Sequence, residues 1–155
     1  MSMVSVVVPT HNRAGVLPRA LRSIYAQKMS VDEVIVVDDG STDDTAEQVS
    51  RDFPDVQLIV QSNHGVSHAR NRGLQRARGT WVALLDSDDE WLPDKIQTQL
   101  NELKSSPALR VCHTNEIWIR NGIRVNPMNK HQKHSGDIFH HCLRLCIVTV
   151  SYTHL

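Results

Sequence analysis

Apolar positions along the chain fall into short continuous runs, separated by stretches with helical spacing. Val4 to Val8 is a β-branched run that ends at Pro9, and Val34 to Val37, Val56 to Val60 and Trp81 to Leu85 are three more runs of the same kind. Continuity instead of strict alternation predicts strands covered on both faces, as in a parallel sheet. Between the first two runs, Val16, Leu17, Ala20, Leu21 and Ile24 recur at three- and four-residue spacing, which predicts a helix over Arg13 to Gln27 with Asn12 as its cap. Ser41 or Thr42 is placed to cap a helix running through Val49, and Val66 to Ala77 is helical by the same criterion. Pro93 suits a first helical turn and opens a helix with Ile96, Leu100 and Leu103 on one face. Strand and helix alternate at a rhythm that predicts an α/β layered fold.

From about Pro107 the pattern changes. Val111 to Arg120 and Ile123 to Asn126 flank Asn121-Gly122, the dipeptide best able to supply the two positive φ angles of a type I′ turn, so a β-hairpin is expected. Residues 127–136 have no apolar period and read as a loop, Ile138 to Leu145 as a short helix, and Ile147, Val148 and Val150 as a strand whose continuation is missing. The chain therefore divides into residues 1–106 and residues 107–155.

Composition narrows the class. The 155 residues suit one domain, and 17 Lys+Arg against 17 Asp+Glu give zero formal charge. That balance argues against nucleic acid as a partner, which needs a net basic surface to displace counterions. No apolar run is long enough to span a bilayer, and the first residues lack a secretory signal, so a cytoplasmic protein is expected. Cys112, Cys142 and Cys146 leave one thiol over in any pairing, which favours reduced cysteines.

In open parallel sheets, ligands bind outside the carboxyl ends of the strands. Here those ends carry Pro9-Thr10-His11-Asn12-Arg13, Asp38-Asp39-Gly40-Ser41 and Asp86-Ser87-Asp88-Asp89-Glu90. Clustered acids repel unless a cation or hydrogen-bonding ligand offsets the repulsion. Capping the next helix takes one carboxylate, whereas the last cluster has four acids in five residues. Oxygen donors with few protein ligands suit Mg²⁺ or Mn²⁺ shared with substrate phosphates.

VSVVVPTHNR (4–13), VIVVDDGSTDDT (34–45), NHGVSHARNRGL (63–74) and GTWVALLDSDDEWLPDKI (79–96), in this order, resemble the nucleotide-binding half of a family 2 glycosyltransferase. The resemblance implies the GT-A fold, a Rossmann-like, mostly parallel sheet with flanking helices, followed here by a β-hairpin region in an incomplete acceptor half. It implies a nucleotide-sugar donor, with a UDP-sugar favoured. Pro9, Thr10 and Asn12 would border the base and ribose, Asp39 the uracil ring, and Arg70 the base and diphosphate. The DxD motif of the family falls on Asp86-Ser87-Asp88, which gives Asp86 to the ribose side and, with Asp88, to Mn²⁺ or Mg²⁺. The acceptor would be a saccharide or lipid-linked hydroxyl, with peripheral attachment at the inner face of the membrane by analogy to relatives. Transfer with inversion needs a carboxylate base, and the family places it downstream. The catalytic residue stays unknown: Asp137 is the only acid after Glu116, and its setting in SGDIF does not match the family motif. The expectation is thus a truncated transferase that binds nucleotide but transfers poorly by itself.

Two other readings stand beside it. ALLDSDD resembles the motif of a haloacid-dehalogenase-type phosphatase, but it lies mid-chain and is followed by Asp89-Glu90-Trp91 where a Gly-Thr turn is usual. A non-catalytic nucleotide-binding module fits the same residues, and nothing in the sequence decides between module and enzyme. His131, His134, His140 and His141 near Cys142 and Cys146 invite a zinc reading, against which a buried cysteine face is the simpler account.

Overall fold

A computed structural model describes residues 3–125 and Gly136. Its elements are β1 (Val4–Thr10), α1 (Leu17–Tyr25), β2 (Glu33–Asp39), α2 (Thr45–Asp52), β3 (Gln57–Gln61), α3 (Val66–Arg76), β4 (Trp81–Leu84), α4 (Lys95–Ser105), β5 (Trp118–Arg120) and β6 (Ile123–Val125). The first four strands form one sheet in the order β3-β2-β1-β4, parallel throughout, and β5 and β6 form a separate antiparallel hairpin.

The uninterrupted apolar runs arise because both faces of the sheet are covered. Val4, Val6, Val8, Val34 and Val36 pack with Leu17, Leu21 and Ile24 of α1, Val49 of α2, and Ile96 and Leu100 of α4. The intervening Val7, Ile35 and Val37 point to the other face and meet Ala69 of α3. α3 lies very close to the sheet. A Cβ on Gly73 would sit 2.3 Å from Val7 Cγ1, so only glycine permits that approach.

Helix starts depart from the sequence expectation. α1 begins at Leu17, not Arg13, after a turn in which the Leu17 N–H donates to the Arg13 carbonyl. Asn12 is not its cap: it sits at φ 52°, and its Oδ1 accepts the Thr42 N–H at 2.7 Å. Ser41 and Thr42 do not cap α2, which starts at Thr45. Ser41 Oγ accepts the Asn12 N–H at 2.8 Å instead, and Asp43 Oδ1 accepts the Thr45 N–H at 3.1 Å. The would-be caps thus tie the loop after β1 to the loop after β2. Pro93 precedes α4 by two residues rather than lying within it. The hairpin turn has Asn121 and Gly122 at φ 52° and 76°, as the Asn-Gly dipeptide predicts, but the strand expected from Val111 is reduced to Trp118–Arg120. The short helix expected from Ile138 to Leu145, the strand expected at Ile147, Val148 and Val150, and the group of His131, His134, His140 and His141 with Cys142 and Cys146 lie outside the described residues.

The opposite end of the sheet is fastened by Glu33. Its carboxylate accepts hydrogen bonds from Ser5 Oγ (2.6 Å), Gln57 Nε2 (2.7 Å), the Arg78 N–H (3.0 Å) and Arg78 Nε (3.1 Å), joining three strands and the turn before β4. Burial by itself would push the carboxyl pKa up. These donors outweigh burial and hold it down at about 2, against an ordinary 4.5. A carboxylate more acidic when folded stabilises the fold above its unfolded pKa, and loses that contribution as pH falls towards its folded value. Glu33→Gln puts an amide donor among four donors, and is expected to lower stability by about 2 kcal/mol at neutral pH. Urea unfolding at pH 7, 4.5 and 3 should show the gap between the two proteins shrinking below pH 4.5; a constant gap would reject this account.

Candidate functional site

β1, β2 and β4 end together, and the reversal of chain order between β1 and β4 opens a crevice there. A cavity of about 300 Å³ at this edge is lined by Pro9, Thr10, His11, Arg13, Asp39, Val66, Ala69, Arg70, Asp86, Ser87 and Asp88. Six of the seven residues expected from the sequence to bind nucleotide or metal are brought together here: Pro9, Thr10, Asp39, Arg70, Asp86 and Asp88. Asn12 does not line the cavity, because its amide is spent on the β2–α2 loop.

Asp39 is almost wholly buried, at 4% exposure, and its carboxylate is held by three donors. Oδ1 accepts from Gln61 Nε2 at 2.7 Å and from the His64 N–H at 2.9 Å, while Oδ2 accepts the Gly65 N–H at 2.7 Å. Burial by itself raises its pKa. The hydrogen bonds from Gln61, His64 and Gly65, with His11 nearby, outweigh burial and keep it below the ordinary carboxylate value. A carboxylate offers about four acceptor positions, so one on Oδ2 is left unused by these three donors. Gly65, at φ 89°, is the residue before α3, so the same carboxylate also fixes where that helix begins.

From this start, α3 carries Arg70 across the crevice to β4's loop, where its Nη2 meets Asp86 Oδ1 at 2.6 Å. Arg70 Nε and Thr10 Oγ1 are buried among the lining residues with no hydrogen-bond partner in the structure. Buried donors of this kind mark a place where a polar ligand completes the wall. Asp88 differs from Asp86. Its side chain is 56% exposed and its carboxylate lies 3.9 Å from Arg13 Nη2, too long for a firm pair.

Among the described residues no three His, Cys, Asp or Glu side chains form a metal cage. The donor set therefore does not suit zinc, but an exposed Asp88 beside Asp86 does fit Mg²⁺ or Mn²⁺, which takes one or two carboxylates and fills its other positions with phosphate oxygens and water. Asp137 lies outside the described residues, so no base is placed in the site.

Sequence reasoning missed His11, Arg13 and Gln61 as parts of the site. His11 and Arg13 were signalled by their place directly after the first strand. Gln61 had no local signal, since only the pairing of β3 with β2 sets it opposite Asp39. A second cavity, of about 330 Å³, lies along β4 and α4 with mostly apolar walls. Lys95 lines it, pushed down to about 8 by burial and lying 5.2 Å over the Trp91 ring. Arg110 also lines this second cavity, but no carboxylate does, so the strand-end crevice, where carboxylates and arginines converge, is the candidate site.

Comparisons with known proteins give the family and the fold. A family model described as glycosyl transferase family 2 matches residues 5–142. The uncharacterized glycosyltransferase alr2836 of Nostoc sp. (strain PCC 7120) is 39% identical over 118 residues, a match that spans 74% of this chain and 37% of that protein. Among solved structures, S. aureus TarS 1-349 in complex with UDP-GlcNAc is 31% identical with a TM-score of 0.60, covering 66% of this chain and 31% of its own. The mannosyltransferase PcManGT of Pyrobaculum calidifontis, in complex with GDP-Man and Mn²⁺, is 35% identical with a TM-score of 0.59, covering 66% of this chain and 32% of its own. The chain thus spans about a third of the length of these relatives. Among the described residues no helix is long and apolar enough to cross a membrane. The four-stranded parallel sheet with helices on both faces is that of the GT-A neighbours, and the chain belongs to glycosyl transferase family 2.

Proposed function

We propose that residues 1–106 form the donor half of a metal-dependent transferase, which takes a UDP-sugar and passes the sugar to a saccharide or lipid-linked hydroxyl with inversion. Residues 107–155 would begin the acceptor side. The observation that carries the reading is the strand-end cavity, where Thr10, Asp39, Arg70, Asp86 and Asp88 converge. Structural neighbours in complex with UDP-GlcNAc and with GDP-Man support a nucleotide-sugar donor.

Each side chain has a task set by its surroundings. The open acceptor position of Asp39 would take the N–H of a uracil ring, and its three fixed donors hold it ionised for that purpose. Thr10 and Arg70 would turn their unpartnered groups to ribose and diphosphate. Asp88, with Asp86, would hold Mn²⁺ or Mg²⁺, which when bound stabilises the negative charge that develops on the diphosphate as the sugar leaves. Inversion requires the acceptor hydroxyl to give its proton to a carboxylate on the far side of the sugar. No described residue is assigned that task.

Calorimetry with UDP and Mn²⁺ tests the metal assignment. Asp88→Asn should lose the Mn²⁺-dependent part of UDP affinity, a change of about tenfold or more, or ~1.4 kcal/mol; equal affinity in both proteins would refute it. The base assignment is tested on the unaltered chain. Cytosine has an acceptor where uracil has its ring N–H, so CDP should bind at least about tenfold more weakly than UDP, because two acceptors would face each other. Equal affinities would remove Asp39 from base recognition.

A further inference from the structure

The acidic loop between β4 and α4 is held along its length by one face of α1. Ser23 Oγ accepts the Trp91 N–H at 3.0 Å. Gln27 Nε2 donates to the Leu92 carbonyl at 2.8 Å, and its Oε1 accepts the Ile96 N–H at 3.1 Å. Arg19 Nη2 donates to the Asp88 carbonyl at 2.9 Å, and its Nε pairs with Glu90 Oε1 at 2.5 Å. Residues 19, 23 and 27 follow one another at four-residue spacing, so they form a polar stripe down one side of the helix and its last turn. The members are not equivalent. Ser23 and Gln27 are buried and anchor the foot of the loop, whereas the Arg19 side chain is 56% exposed and grips the part that carries Asp88.

We propose that Arg19 is a positioning residue for the candidate metal ligand: by bridging the Asp88 carbonyl and the Glu90 carboxylate, it fixes the direction in which the Asp88 side chain faces the cavity. This rests on the reading of the cavity as a diphosphate and metal site. The geometry is specific to arginine, because its planar fork serves two acceptors at once, whereas a lysine ammonium is a single point on a flexible stem. It also gives Glu90 a task. Glu90 is not among the residues lining the cavity, and its ion pair with Arg19 turns it into a brace for the loop. Arg13, 3.9 Å from the Asp88 carboxylate, approaches from the loop after β1 and touches the side chain, not the backbone that Arg19 fixes.

The test separates metal binding from nucleotide binding and from stability. UDP affinity is measured by calorimetry with and without Mn²⁺ on the unaltered chain, Arg19→Ala, Arg19→Lys and Glu90→Gln, with urea unfolding of each. Arg19→Ala should weaken the Mn²⁺-dependent binding by about tenfold, as loss of a group that orients a metal ligand commonly does. Metal-free UDP affinity should stay within about twofold, and the urea midpoint should move little, because the Arg19 side of the ion pair is 56% exposed. Arg19→Lys and Glu90→Gln should fall between. Undiminished Mn²⁺ dependence in Arg19→Ala, or an equal loss with and without metal, would overturn the positioning role. If the unaltered chain showed no Mn²⁺-dependent UDP binding, the nucleotide-sugar reading itself would fall, and the Arg19 role with it.

Discussion

A buried carboxylate must find donors or lose its charge, and at the end of β2 this demand organises the site. Asp39 finds its three donors in a side chain of β3 and in the backbone N–H groups just before α3. That choice fixes the path of the chain between the two elements. Gly40, whose Cβ would lie 2.8 Å from the Asn63 backbone nitrogen, is the residue that lets the two segments approach so closely. With its start pinned by Asp39 and its middle seated on Val7 through Gly73, α3 has little freedom left. Arg70 is delivered to Asp86 as a result. The acid that would read the base and the arginine that would meet the diphosphate are thus one mechanical unit.

The loop after β4 is governed from the other face of the sheet. α1 packs its apolar side into the core through Leu17, Leu21 and Ile24, and offers its polar stripe to the acidic loop. Asp86 and Asp88 are two residues apart, yet one is paired with α3 and the other is left exposed, on a backbone held by α1. The two carboxylates are therefore prepared differently. Asp86 enters any ligand complex with its charge already balanced, and Asp88 keeps its charge available.

Much of the fold was legible because continuous runs such as Val34 to Val37 have one economical solution, a strand covered on both sides. The acids at strand ends were legible for a similar reason: charge concentrated where a parallel sheet opens is costly unless something binds. Cap residues misled because Asn12 and Ser41 have alternative partners in each other's loops, and tertiary pairing won over local capping. Val111 has the β-branching of a strand residue but is 70% exposed, and the segment before Trp118 has no strand partner among the described residues. The stripe at Arg19, Ser23 and Gln27 was invisible for a different reason. Polar residues at helical spacing read as a solvent face, and only the fold shows that a loop lies on them.

The central claim, that the strand-end crevice takes a nucleoside diphosphate together with a divalent cation, is tested most directly by paramagnetic broadening. Mn²⁺ is added in small amounts to the isotope-labelled chain saturated with UDP, and the amide signals are followed residue by residue. The account predicts that the signals of Ser87, Asp88 and Asp89 vanish first, followed by those of Thr10 to Arg13 and of Ala69 and Arg70, and that UDP is needed for the full effect. Broadening centred on any other part of the sheet, or the same broadening without UDP, would contradict it.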